Sequence, residues 1–434
     1  MFDKEKKMHL TLAQMALTGL IVALLPLSMV WISSDPNKYR KLAWVSVFLT
    51  FDLVMFGAFT RLSDSGLGCP DWPGCYGAAN PFLAHEQIVA AEALMPTGPV
   101  TLLKAWIEMI HRYVAMAIGV LIIGMMVQAW RNWIKSRLAE FSPWLPTALF
   151  LFVCLQGAFG AWTVTLKLQP VIVTIHLLLG MGLLAMLTWL ASRQDAAAQA
   201  REKAPAGPVT LSKGEVKSDA KVDVALGAKG NAGAAGTARL ARVYPVSPPP
   251  VMRRLRLLAA FAGLLLVVQI ALGGWVSTNY ATLACTDFPL CGGKLVPPMD
   301  FEHGFTLWRE LGKTAAGHYL PFSALTAIHW VHRSFALVVL LGIGYTAWRA
   351  WQYPGLRRTA KLIALVLVAQ VATGIATIFL NFPLIIAVLH NGGAALLVVL
   401  LTMLNYRAKF HFEIAQRTAW RGAPAQSSAA KHHP

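Results

Sequence analysis

The stretch KAWIEMIHRYVAMAIGV, residues 104–120, puts Glu108, His111 and Arg112 just inside an apolar run. Ionisable groups at membrane depth are costly and persist where they pair or take part in chemistry. At i and i+3 two helical side chains share a face, so Glu108 points toward whatever His111 lines. A carboxylate so placed can act as a base or stabilise developing charge. It can also brace Arg112 or a backbone group, and both roles stay open at this point.

Three further histidines, His176, His332 and His390, share the setting of His111, each near the start of an apolar segment. His111 and His176 both lie some seven residues into their segments, about 10 Å deep at 1.5 Å per residue. A pair of imidazoles facing across a helix bundle can hold haem iron from both sides. A closed zinc site would instead want four ligands in one tetrahedron, often with thiolates or carboxylates. Two separate pairs, His111 with His176 and His332 with His390, suit two haems. Both pairs lie near one membrane face, unlike a carrier that stacks its haems across the bilayer.

AIHWVHRSF, residues 327–335, offers two histidines. His332 is taken as the ligand because Arg333 follows it as Arg112 follows His111. His329 then stands where Glu108 stands, three residues earlier. One haem site therefore has a carboxylate beside it and the other does not. A haem that only shuttles electrons gains nothing from that group, whereas a substrate undergoing proton-coupled oxidation can use it. Arg112 and Arg333 could contact haem propionates bidentately or snorkel to lipid headgroups.

Cys69 with Cys75 and Cys285 with Cys291 close short loops carrying Pro and Asp. A structural disulfide in each is the first reading; a redox pair exchanging electrons with an oxidoreductase is the other. Cys154 lies inside an apolar segment and reads as a small buried residue.

The elements that position these groups are membrane helices. The chain is 56% hydrophobic and only 13% charged, outside the range of soluble domains. Apolar runs long enough to span the bilayer fall near 10–32, 42–61, 105–130, 144–164, 170–191, 254–276, 321–348, 361–380 and 383–405. The net charge of +18 would suggest nucleic acid in a soluble protein; here Lys and Arg cluster in alternate loops and report orientation. Lys38, Arg40 and Lys41, Arg131 to Arg137, Arg253 to Arg256, Arg357 to Lys361, and Arg407 with Lys409 mark the cytoplasmic side. The long loops 62–104 and 277–320, with four of the five cysteines, are then exoplasmic. That topology puts Lys4, Lys6 and Lys7 on the exoplasmic side; a start at Met8 would remove them, and either arrangement fits.

GAFTRLSDSGLGCPDWPGC (57–75) and GGWVSTNYATLACTDFPLC (273–291) align without a gap at an offset of 216. Gln156, Gly160, Thr163 and His176 match Gln370, Gly374, Thr377 and His390 at an offset of 214. The expected fold is an all-α integral membrane protein. It has two tandem four-helix bundles, 42–192 and 254–409, related by a pseudo-two-fold axis along the membrane normal. An extra N-terminal helix and short loop occupy 1–41, outside the repeat. Residues 193–253, rich in Ala, Gly, Lys, Ser and Pro, read as a disordered cytoplasmic linker, and 410–434 as a cytoplasmic tail.

TRLSDSGLGCPDWPGC, IEMIHR, LQGAFGAWTV, TIHLLLG, VHR and VLH together resemble the haem A synthase family of proteobacteria and mitochondria, across both units. The resemblance implies oxidation of the haem O methyl group to a formyl group through hydroxylated intermediates, giving haem A for cytochrome c oxidase. It implies a haem B cofactor on His332 and His390, substrate on His111 and His176, and a catalytic Glu108. The extra helix and the linker depart from the family's compact eight-helix pattern, and neither is expected to touch the motif residues. The setting it implies is the bacterial inner membrane, cysteine loops periplasmic, with haem O synthase and oxidase assembly factors as candidate partners. The electron acceptor stays unassigned, and a homo-oligomer is compatible with the sequence. The competing functions are a di-haem b-type electron-transfer protein and a haem transporter or chaperone, neither of which would change the haem a cell contains.

Overall fold

The computed structural model describes residues 2–137, 142–202 and 249–422. Regular secondary structure among them is helical, apart from isolated bridges such as Cys75 with Ala78 and Cys291 with Lys294. The long helices are α1 (Phe2–Ile32), α2 (Lys38–Leu62), α4 (Leu102–Ser136), α5 (Trp144–Thr165), α6 (Pro170–Glu202), α7 (Pro249–Thr278), α9 (Phe322–Trp351), α10 (Arg357–Phe379) and α11 (Leu384–Gly422). Short helices α3 (His85–Leu94) and α8 (Phe301–Phe305) sit in the two long loops. Nine helices among the described residues are apolar and long enough to cross a membrane. This is a multi-pass integral membrane protein, because only helices with internally satisfied backbones can line up nine such spans in lipid.

After α1, the contacts close two rings. In the first, α2 packs on α4, α4 on α5, α5 on α6 and α6 on α2; in the second, α7 packs on α9, α9 on α10, α10 on α11 and α11 on α7. Between the rings α11 touches α2 and α6, and α6 touches α7. The shared core runs through Leu121, Met125, Leu184, Leu187, Ile343 and Leu397, all buried. A second buried cluster, at the cysteine-loop end, contains Met15, Cys69, Cys75, Ile88, Met109 and Tyr113.

The internal repeat is written in the backbone as well. Asp64 and Tyr280 both take φ of 53°, and Lys167 and Leu168 (51° and 58°) match Asn381 and Phe382 (53° and 60°). Left-handed backbone is rare outside glycine, so its recurrence at these offsets marks equivalent turns. In each turn an amide reaches back to the matched threonine carbonyl: Leu168 N to Thr163 O and Phe382 N to Thr377 O, both 2.8 Å.

Several expectations need adjustment. Helix α6 runs on to Glu202, ten residues beyond 192, because Asp195 accepts from Trp44 Nε1 at 3.1 Å and Arg193 donates to Ser142 O at 3.2 Å. Helix α7 begins at Pro249 and α11 continues to Gly422, so the segments expected as linker and tail start in helix. The remainder of both, 203–248 and 423–434, lies outside the described residues. Cys154 is exposed rather than buried. Among the described residues helix α5 packs mainly on α4 and α6, and Cys154 lies on its exposed face.

Candidate functional site

Helix α4 brings Glu108, His111 and Arg112 to the first cysteine loop. Glu108 is 4% exposed. One carboxylate oxygen, Oε1, pairs with Arg112 Nη2, and the other, Oε2, accepts from the Cys69 amide at 2.8 Å. Arg112 also donates through Nη1 to the carbonyls of Asp71 (3.1 Å), Pro73 (3.1 Å) and Gly74 (2.7 Å). Nη1 of its guanidinium is thus directed at the loop and Nη2 at Glu108.

The loop is a closed unit. Cys69 is disulfide-bonded to Cys75, and Cys75 and Ala78 exchange amide hydrogen bonds of 2.8 and 2.9 Å. Asp71 accepts from the Tyr76 and Gly77 amides, each at 2.6 Å. Gly68 lets the loop lie against α4, since a Cβ there would stand 2.6 Å from the Ala105 amide nitrogen. Tyr113 OH donates to Ala79 O at 2.7 Å.

Helix α1 takes part in this site, contrary to expectation. Thr11 donates to Gly77 O at 2.8 Å, Met15 is buried with Cys69, Cys75 and Met109, and Gly19 lies against Met116 of α4. The N-terminal end of α1 is thus at the cysteine-loop end of the molecule. Apolar periodicity reported a membrane helix there but not which neighbour it would cover.

The second loop repeats the plan with fewer ties. Cys285 is bonded to Cys291, and Asp287 accepts from Gly292 (2.7 Å) and Gly293 (2.8 Å). The Gly293 and Gly292 amides hold the Asp287 carboxyl below its ordinary range. His329 Nδ1 accepts from the Cys285 amide at 3.3 Å, as Glu108 accepts from Cys69. Arg333 reaches one loop carbonyl, Leu290 O at 3.1 Å. Its Nη1 is buried without a hydrogen-bond partner among the described residues.

All four candidate ligands sit in one kind of cradle. A Cβ built at Gly57, Gly160, Gly273 or Gly374 would stand 3.0, 3.1, 2.9 or 3.0 Å from Cε1 of His111, His176, His332 or His390 respectively. Each imidazole therefore packs flush on the backbone of a neighbouring helix at a glycine. The repeat register marked these glycines as matches without revealing their partner. It is His332 that faces Gly273, while His329 takes the place of Glu108. Phe56 stacks beside His111 with centroids 6.2 Å apart.

These sites can be compared with known proteins. The family model described as cytochrome oxidase assembly protein matches residues 40–228 and 231–402. Helix α1 precedes the matched residues. The haem A synthase of Shewanella oneidensis is 33% identical over 369 residues, covering 84% of this chain and 96% of its own. That of Rhodospirillum centenum is 29% identical, covering 81% and 83%. That of Halalkalibacterium halodurans is 25% identical, covering 82% and 90%. With both units inside the family match and a relative similar across nearly its whole length, the chain belongs to the haem A synthase family of cytochrome oxidase assembly proteins.

Proposed function

We propose a division of labour for the haem A synthase that this family membership identifies. The first unit (42–192) carries the haem O substrate between His111 and His176. The second (254–409) carries haem B between His332 and His390. The observation that supports this reading most strongly is the glycine cradle repeated at all four histidines, with a buried carboxylate beside only one pair. Flush glycines leave the imidazole edges room to stand over a flat macrocycle, and paired imidazoles are an ordinary ligand set for haem iron.

Glu108 is the catalytic group in this reading. Each of its oxygens accepts one hydrogen bond and retains a further lone pair. It can take a proton released as the methyl carbon is oxidised, or stabilise positive charge there, in a water-poor setting where such stabilisation is strong. Arg112 and the Cys69 amide hold the carboxylate in place. Haem B, when bound, supplies one-electron chemistry next to the substrate unit. Arg333 Nη1 offers a donor to a haem B propionate, while Arg112 acts on the substrate site through the loop.

The two units form tandem four-helix bundles about a pseudo-two-fold axis along the membrane normal. Support comes from Arg61, whose guanidinium donates to the carbonyl of its own repeat counterpart, Ser277. The setting is the bacterial inner membrane with the cysteine loops periplasmic, in keeping with the basic clusters at the opposite helix ends. Residues 203–248 serve as the cytoplasmic linker, and haem O synthase and oxidase assembly factors are the candidate partners.

Purified His332→Ala or His390→Ala protein should lose its low-spin haem B absorbance. His111→Ala or His176→Ala should keep it and lose haem O conversion. Haem B retained in full by both second-unit variants would refute the assignment.

A further inference from the structure

The two pairs of histidines differ at Nδ1. In the second unit, Thr373 Oγ1 stands 3.1 Å from His390 Nδ1. That hydroxyl has two backbone carbonyls within reach of its own hydrogen, Ala369 O at 2.9 Å and Gln370 O at 3.0 Å, and donating to either turns a lone pair toward the imidazole. The Gln269 side-chain amide is 3.1 Å from His332 Nδ1 and also donates to His332 O at 3.1 Å. An amide carries both donors and an acceptor, so it suits either ring tautomer. In the first unit, His111 Nδ1 and His176 Nδ1 are buried with no hydrogen-bond partner among the described residues. Sequence explains the difference. The register that matches Gly57 with Gly273 sets Leu53 opposite Gln269, and the register that matches Gly160 with Gly374 sets Phe159 opposite Thr373. Neither Leu nor Phe can bond a ring nitrogen.

We propose that Gln269 and Thr373 are positioning residues that retain haem B, and that Leu53 and Phe159 leave Nδ1 of the first-unit histidines unbraced so that their haem exchanges; at Nε2 the units are alike, with Gln156 Nε2 3.5 Å from His176 Nε2 and Gln370 Nε2 3.3 Å from His390 Nε2. The proposal rests on the assignment of haem B to His332 and His390. A partner at the second ring nitrogen fixes the orientation of a ligating imidazole and strengthens it as a ligand, typically by 10- to 100-fold in affinity. A cofactor kept through many turnovers gains from that bracing. A substrate that must leave as product loses by it, because tight holding of substrate and product alike slows release without speeding chemistry. The same four-helix scaffold thereby becomes a retaining site in one copy and a releasing site in the other.

The test uses full-length purified protein carrying its haem, challenged with excess apomyoglobin as haem scavenger, with haem B release followed by absorbance. Thr373→Val and Gln269→Leu should each speed release about tenfold, while Thr373→Ser, which keeps the hydroxyl, should match the parent. The reverse change, Phe159→Thr, should slow release of haem O and haem A from the first unit by a similar factor. Parental release rates in both Thr373→Val and Gln269→Leu, alongside a His390→Ala control that lacks haem B, would overturn the bracing role and leave the haem assignment intact. A His390→Ala control that keeps haem B would overturn the assignment itself, and the bracing role with it. Should the loss variants fail to fold, Phe159→Thr decides alone: unchanged first-unit release counts against the proposal.

Discussion

Arg61 Nη2 donates to the Ser277 carbonyl at 2.7 Å across 216 positions of chain, so a residue meets its own repeat counterpart. The neighbouring pair does the same: Tyr280 OH donates to Asp64 Oδ1 at 2.6 Å, again across 216 positions. Arg61 also lies over the Tyr280 ring, 4.2 Å from its centroid, and pairs with Asp64 at 3.3 Å. Contact between matched residues is what the proposed pseudo-two-fold relation of the units requires beside its axis. This clasp therefore ties the two repeats together at the cysteine-loop end, and in the proposed reading it sets how the two haem sites face each other.

Arg61→Met should loosen the clasp, costing about 1–3 kcal/mol for the orphaned carbonyl and lost charge contacts. Thermal unfolding in detergent would register it, with the haem B spectrum of the folded protein unchanged. An unaltered melting curve would mean that packing of α6, α7 and α11 alone sets the interface.

Arg112 and Arg333 occupy equivalent places but carry different loads. Removing Arg112 as Arg112→Leu leaves Glu108 buried without its counter-charge and three loop carbonyls without a donor, a loss of about 3–5 kcal/mol by analogy with broken buried pairs. Arg333→Leu removes one loop hydrogen bond and should cost about 1 kcal/mol. Comparing the two melting transitions checks the ranking, and equal shifts would contradict it.

Helix α1 meets the first cysteine loop through Thr11 and Met15. Thr11→Val deletes its bond to Gly77 O and should weaken that loop by about 1 kcal/mol, roughly a fivefold rise in local opening. Reduction of Cys69–Cys75 by a membrane-impermeant phosphine, followed by mass-tag labelling, should accelerate accordingly, while Cys285–Cys291 should reduce at its parental rate. Equal acceleration of both disulfides would point to a global effect instead.

Much of this was legible in the chain before any coordinates. Nine spans follow from hydropathy because lipid penalises every unsatisfied backbone group alike. The histidines and loop cysteines stand out because a repeated unit preserves the offsets of its functional positions. What stayed hidden depends on facing. An apolar run does not say which side meets lipid, so Cys154 was expected inside and lies outside. Nor does it say which helix α1 will cover, and Thr11 gives no local sign of its partner 66 residues on. The engagement of Arg112 with the loop was hidden for the same reason, since an HR dipeptide at a helix start reads equally well as ligand plus propionate donor. Gln269 and Thr373 were legible only as departures from the repeat, visible once the matched Leu53 and Phe159 are set against them.

In the proposed reading one haem is a substrate oxidised beside Glu108 while the other stays in place. Glu108→Gln keeps the side-chain shape and an acceptor oxygen but removes the charge. Haem extraction and chromatography of membranes from cells expressing parent or variant tests it most directly. The expected result is a retained haem B spectrum, a fall in haem A, and accumulation of hydroxylated haem alongside haem O. Parental haem A levels in a well-expressed Glu108→Gln protein would contradict it.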